Sequence, residues 1–222
     1  MPTGYRGPVD QPEHDRTTQH SGPSHYFSPQ ASSRSKRSTV HLDLPDLSLD
    51  LITDRGVFSP DRVDPGTKLL LLEVPELGDG AVLDLGCGYG PIASVLAARR
   101  PGQPVWAVDV NERALELCSE NLSKHANDAS DFTVAKPEDV PEDLMFTAIV
   151  SNPPIRVGKK VLHSMLQKWL NRLGPDGEAW LVVHRHLGAD SLSEWMTGLG
   201  LDVERIRSRQ GYRILRVTRS DA

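Results

Sequence analysis

The chain of 222 residues has only two cysteines, Cys87 and Cys118. Two are too few for the disulfide framework that staples small secreted domains. The longest apolar run is "LLLL", Leu69 to Leu72, far short of a bilayer span. The N-terminus is polar and proline-rich and lacks the apolar stretch of a secretory signal. These absences set a reducing, cytoplasmic setting as the expectation. No His or Cys catalytic pair stands out, and "HRH", His184 to His186, has no third ligand at metal-binding spacing, so no metal is expected.

Acidic residues are missing from one stretch. Residues 155–172 carry Arg156, Lys159, Lys160, Lys168 and Arg172 and no acid. The net charge of −5 therefore hides an asymmetry: residues 155–222 hold twelve basic against seven acidic residues, and the remainder holds thirteen against twenty-three. Residues 203–219 add Arg205, Arg207, Arg209, Arg213, Arg216 and Arg219 against Glu204. Such a surface suits either a polyanion or plain solvation on a helix and an edge strand.

Residues 1–24, rich in Pro, Gly, His, Thr and Gln, read as a disordered tail. A domain over 25–222 follows, with "HYFSPQ" at its start. "STVHLDL" and "LSLDLIT" alternate apolar and polar residues around "PD", which predicts a hairpin over about 38–54. "DPGTKLLLLEV" reads as a helix after Pro65. From residue 81 the pattern is strand, turn, helix, repeated. The strands are "AVLDL", "PVWAVDV", "FTV", "FTAIVSN" and "GEAWLVV", closed by "LDVERIRS" and "YRILRVT" around "RQG". The alternation predicts an α/β fold: a mostly parallel sheet with helices on both faces, preceded by the β-hairpin.

The first turn of that repeat is "LDLGCGYGP". Gly86, Gly88 and Gly90 permit positive φ and a close backbone approach to a ligand. A dinucleotide fingerprint needs its third glycine at position 91, which is Pro91, and a P-loop needs a Lys that is absent. Asp84, just before the glycines, suits an amino group better than a pyrophosphate. Asp109 ends the next strand, where an acid can take both ribose hydroxyls. An amine, a ribose and no phosphate describe S-adenosylmethionine. Cys87 inside the turn reads as a small residue with no nucleophilic role.

"FTAIVSN" runs out into Asn152, Pro153 and Pro154. Ligands of open α/β sheets sit beyond the carboxyl ends of the strands, so Asn152 shares a rim with Asp84 and Asp109. Its carboxamide can accept a hydrogen bond from a planar exocyclic amine. The two prolines stiffen the turn and can aim the Pro153 carbonyl at the same amine. Methyl transfer from a sulfonium is an in-line displacement that needs placement more than a strong base.

These residues resemble the methyltransferase small family, whose relatives include RsmC-type ribosomal RNA guanine methyltransferases. The similarity covers about His25 to Val217 and rests on "HYFS", "DRGVFS", "VDPGTKLLL", "LDLGCGYGP", "AVDVNERAL", "SNPPIRVGK" and "GYR". It is strongest with the short, single-domain branch that shares the NPPI motif. The resemblance implies a class I, Rossmann-like methyltransferase fold with a seven-stranded sheet. It also implies that Asp84, Gly86, Gly88 and Gly90 line the methionine end of the cofactor. Asp109 then holds the ribose and Val110 flanks the adenine. Asn152, Pro153, Pro154 and Ile155 present the target nitrogen, with Phe58 beside the transfer point.

The chain departs from the family at Ile155, where many amino-methyltransferases carry an aromatic ring that stacks on a flipped base, and at Thr147, where relatives carry Asp. Phe58, Tyr26 or Phe27 are the candidates to supply the missing ring. Arg156, Lys159 and Lys160 beside the turn are placed to meet phosphates, which makes ribosomal RNA or the small ribosomal subunit the expected partner. Two rival readings are a glutamine methyltransferase acting on a release factor and a non-catalytic RNA-binding module with a vestigial site.

Overall fold

The computed structural model describes residues 34–125 and 131–220. The expected tail, and "HYFSPQ" with Tyr26 and Phe27, lie outside the described residues.

The hairpin pairs β1 (Ser38–Asp43) with β2 (Ser48–Thr53). Its inward residues Val40, Leu42, Leu49 and Leu51 are buried and their neighbours face out, the period of a half-covered antiparallel pair. A helix, α1 (Pro65–Glu73), follows. Asp64 caps it, and Pro65 starts it where no backbone donor is needed.

The repeat then runs β3 (Val82–Leu85), α2 (Pro91–Arg99), β4 (Pro104–Val108), α3 (Glu112–His125), β5 (Asp131–Ala135), β6 (Phe146–Ser151), α4 (Lys159–Leu170), β7 (Leu173–His184), α5 (Ala189–Thr197), β8 (Leu201–Arg209) and β9 (Tyr212–Arg219). These seven strands form one sheet in the order β5-β4-β3-β6-β7-β9-β8. It is parallel except at β9, which runs antiparallel to both β7 and β8. Gln210 and Gly211 both have positive φ, 50° and 84°, the backbone a tight β8–β9 hairpin requires.

The central strands are apolar on both faces because both faces are covered. Val82, Val150 and Val182 pack towards the hairpin, α1, α2 and α3. Leu83, Ile149, Leu181 and Val183 pack towards α4 and α5. Chain order reverses between β3 and β6, each continuing away from the other, which opens a crevice at their carboxyl ends.

Helix α4 stops at Leu170, and Arg172 beyond it is buried. Its guanidinium lies 5.3 Å from the Phe146 ring centre and 4.8 Å from that of Trp169, and its Nε donates to the Leu144 carbonyl at 3.0 Å. Arg172 is therefore core, not part of a basic surface. The C-terminal arginines are also largely committed. Arg207 pairs with Glu73, Arg213 with Asp190 and Arg216 with Glu178, and Arg219 donates to the Asn171 carbonyl.

Candidate active site

The glycine turn after β3 is tied down from beside and below. The backbone N–H groups of Gly86 and Cys87 both donate to the Val108 carbonyl at the end of β4, at 2.8 and 3.0 Å. Gly88 N–H donates to Asp109 Oδ2 at 2.9 Å, and Asn111 N–H to Asp109 Oδ1 at 2.9 Å. Each Asp109 oxygen keeps lone-pair capacity towards the crevice. Ser151, at the end of β6, donates its hydroxyl to the Leu85 carbonyl at 2.6 Å and so locks the two strand ends together.

Asp84 lies on β3, two residues before Gly86. It is fully buried and lines no cleft. Its Oδ2 accepts the Ala93 N–H in the first turn of α2 at 2.9 Å, and its Oδ1 has no partner. Burial, helped by the nearby Asp109 charge and opposed by the Ala93 bond, pushes its pKa up to about 8. Burial also raises the Asp109 carboxyl. Gly90 is likewise a packing residue: a Cβ on it would meet Cys118 Sγ at 2.6 Å. A Cβ on Gly88 would meet nothing within 4 Å, and one on Gly86 only Pro154 Cδ at 3.9 Å, as a ligand-facing turn requires. Burial and the neighbouring Cys118 push the Cys87 thiol well above its usual range, so it stays an uncharged wall residue.

Two clefts flank Pro154. One, of about 680 Å³, is lined by Gly86, Asp109, Val110, Pro137, Val157 and Met165 among others. The other, of about 630 Å³, is lined by Phe58, Asn152, Pro153, Ile155, Arg156 and the rings of His184, His186 and Tyr212. A small cavity lined by Phe58, Gly86, Gly88, Asp109 and Asn152 lies between them. The first cleft fits the expected S-adenosylmethionine: Asp109 faces it with acceptors for ribose hydroxyls, apolar residues flank a planar base, and the unpartnered Asp84 oxygen lies behind the glycine turn. Lys159 is exposed and lines neither cleft.

The stiff turn has a defined form. Pro154 has φ −74° and ψ 70°, and the Ile155 N–H donates to the Pro153 carbonyl at 2.8 Å, which is an inverse γ-turn. The Pro153 carbonyl thus spends one of its lone pairs inside the turn. Asn152 Nδ2 donates to Asp64 Oδ2 at 3.1 Å and to Thr67 Oγ1 at 3.0 Å. Phe58 is carried by a loop that Asn111 and Arg113 hold: Asn111 Nδ2 donates to the Gly56 carbonyl at 2.9 Å and Arg113 Nη1 to the Arg55 carbonyl at 2.7 Å. Thr147 is a strand anchor, its hydroxyl donating to the Ala81 carbonyl at 3.1 Å.

Local sequence patterns assign no role to Asp64, Thr67, Asn111, Ser151, His184 or Tyr212. The only signals are the motifs "VDPGTKLLL", "AVDVNERAL" and "GYR", which do not say what their side chains touch. The histidines of "HRH" line the second cleft, and among the described residues no cluster of His, Cys, Asp or Glu is suited to a metal. No helix among those residues is long and apolar enough to cross a membrane.

A mostly parallel seven-stranded sheet in this order, with a glycine turn and a carboxylate at its central strand ends, is the class I methyltransferase architecture. Residues 48–216 match the methyltransferase small domain model, and the chain belongs to that family. It is 36% identical over 197 residues to uncharacterized protein YbxB of Bacillus subtilis, covering 86% of this chain and 96% of the relative. It is 36% identical over 154 residues to ribosomal RNA small subunit methyltransferase C of Shewanella amazonensis, covering 68% of this chain and 44% of the relative. The 16S rRNA N2 guanine methyltransferase RsmC of T. thermophilus, solved with AdoMet and guanosine, superposes with a TM-score of 0.69 at 25% identity, covering 84% of this chain and 52% of that one. The chain spans about half the length of the curated methyltransferases of that name.

The Asp84 carboxyl carries a pH prediction. With no ligand bound it holds its proton up to about pH 8. A cofactor bound with its cationic amine on the far side of the glycine turn would favour the carboxylate and expel a proton. Affinity for S-adenosylhomocysteine should therefore rise with pH, by up to about tenfold per unit between about pH 6 and 7.5. Calorimetry in buffers of different ionisation enthalpy measures the released proton. A pH slope that Asp84→Asn leaves unchanged refutes the assignment.

Proposed function

We propose that the chain is an S-adenosylmethionine-dependent N-methyltransferase whose acceptor is the exocyclic amine of a guanine in small-subunit ribosomal RNA. The observation that carries this reading is Asn152. Both of its amide hydrogens have partners within the protein, which leaves its carbonyl for an acceptor at the junction of the two clefts. A carbonyl there holds an N–H and turns the nitrogen lone pair towards the methyl group.

The bound cofactor supplies an electrophilic methyl on a sulfonium. Asp109 orients its ribose, and Val110, Pro137 and Val157 flank its adenine. The Asn152 carbonyl and the remaining lone pair of the Pro153 carbonyl hold the amine. Held there, the amine nitrogen would stand in line with the methyl, and the surplus proton it carries after transfer would pass to solvent. Ile155 offers only apolar packing, so Phe58, His186 and Tyr212 supply the ring faces for an unstacked base.

RNA is favoured by charge. Arg156, Lys159 and Lys160 are exposed beside the turn and make no ion pair among the described residues. Replacing Arg156 and Lys159 with glutamine should raise KM for RNA several-fold, with cofactor affinity unchanged. It should also flatten the salt dependence by about 0.7 log units for each phosphate that is no longer neutralised.

The deciding experiment is tritiated methyl transfer to small subunits and to their extracted RNA from a strain lacking this gene, followed by nucleoside mass spectrometry. Label in N2-methylguanosine supports the proposal. Label in protein glutamine, or heat of S-adenosylhomocysteine binding with no transfer to RNA, refutes it.

A further inference from the structure

We infer that Asp64 and Thr67 are positioning residues that set which end of the Asn152 amide meets the acceptor; this rests on the methyltransferase reading above. The two ends of a carboxamide have nearly the same shape, and rotation about its terminal bond exchanges them at little steric cost. The exchange matters here. A carbonyl facing the acceptor takes an N–H and leaves the attacking lone pair alone. An amino group facing it would donate to that lone pair and withdraw it from the methyl.

The pair on the inner side removes the ambiguity. A carboxylate only accepts, and Asp64 Oδ2 is 3.1 Å from Asn152 Nδ2. Turning the amide over would press its carbonyl against that carboxylate, a repulsion in a half-buried site. Thr67 Oγ1 takes the second amide hydrogen at 3.0 Å. With both hydrogens held inside, the carbonyl has to face the cleft.

Asp64 is itself fixed from two elements. Its Oδ2 accepts the N–H groups of Gly66 and Thr67 at 2.8 and 3.1 Å in the first turn of α1. Its Oδ1 lies 3.4 Å from the Tyr212 hydroxyl at the start of β9. The Tyr212 ring packs so closely on this turn that a Cβ on Gly66 would meet it at 2.5 Å. Thr67 is buried. A helix cap needs one or two of these bonds; the further one from Asp64 to Asn152, 88 residues away, is beyond what capping requires. The "DPGT" segment thus serves the reacting centre as well as the helix start.

The test separates positioning from capping. Asp64→Ser keeps a good cap, but its shorter hydroxyl cannot reach Asn152. Thr67→Val keeps shape and branching while losing the acceptor. Each should lower kcat by about tenfold or more, with affinity for S-adenosylhomocysteine unchanged. In an Asn152→Ala background neither should lower the rate further, because the residue they orient is gone. A second measurement does not depend on turnover. In the ¹⁵N-labelled protein the Asn152 side-chain amide protons should exchange slowly with solvent, and Asp64→Ser should make them exchange fast. If the unaltered protein methylates no RNA, the functional reading fails, and the exchange experiment still decides the anchoring. Fast exchange of those protons in the unaltered protein, or full kcat in both variants, overturns the inference.

Discussion

Asn152→Ala will bind S-adenosylhomocysteine like the unaltered protein and will lose methyl transfer on the order of a hundredfold or more. The first half follows from position. Asn152 lines the cleft beside Phe58 and the small cavity at the junction, and it is absent from the wall of the larger cleft beside Val110. The second half follows from the chemistry. An exocyclic amine conjugated to a ring is planar and a poor nucleophile until an acceptor draws its hydrogen aside and fixes the lone pair in line. The alanine variant removes that acceptor and leaves Asp64 Oδ2 and Thr67 Oγ1 facing a space that water can fill. Asn152→Asp keeps an acceptor but sets a second carboxylate against Asp64, so it too should be slow. Single-turnover transfer with labelled cofactor, beside calorimetry with S-adenosylhomocysteine, reads both halves. Transfer by the alanine variant at more than about a tenth of the normal rate would remove Asn152 from the mechanism.

Much of this site was legible because its parts end strands. The runs "AVLDL", "PVWAVDV" and "FTAIVSN" announce buried parallel strands, and Gly86, Asp109 and Asn152 lie at their ends. Strand ends in such a sheet share one rim, so three residues far apart in sequence could be brought together without coordinates. What stayed illegible depends on tertiary neighbours that no local pattern encodes. No local pattern marks Asp64, and its bond to Asn152 exists only because α1 starts close to the end of β6. The arginines of 203–219 suit a polyanion or plain solvation alike, and the pairing of Arg207, Arg216 and Arg213 with Glu73, Glu178 and Asp190 comes from the sheet edge and its helices. Within the glycine motif the pattern places Asp84 just before the turn, and its bond to the Ala93 N–H comes from the packing of α2 on β3.

The three glycines of the turn are alike in sequence and should part company on substitution. Gly90→Ala will cost the fold. Its φ is 85°, a left-handed backbone costing an L-residue about 1–2 kcal/mol. Its new methyl would sit 2.6 Å from Cys118 Sγ and 3.2 Å from Cys118 Cα, inside the packing of α2 on α3. Overpacking of that kind costs about 1–3 kcal/mol more. Together they should lower Tm by on the order of 10 °C for a domain of this size. Cys118→Ala in the same chain removes the sulfur and should return part of the loss; the remainder is backbone strain and crowding against the α3 main chain. Gly88→Ala meets nothing within 4 Å and carries only the left-handed strain, at φ 56°. Its methyl points into the cavity between Asp109 and Phe58, so it should keep most of its Tm and lose about tenfold or more in affinity for S-adenosylhomocysteine. Thermal unfolding and calorimetry on the two variants separate a glycine that packs a helix from a glycine that faces a ligand. Equal losses of Tm in both would mean that the whole turn serves the fold and that its open face is incidental.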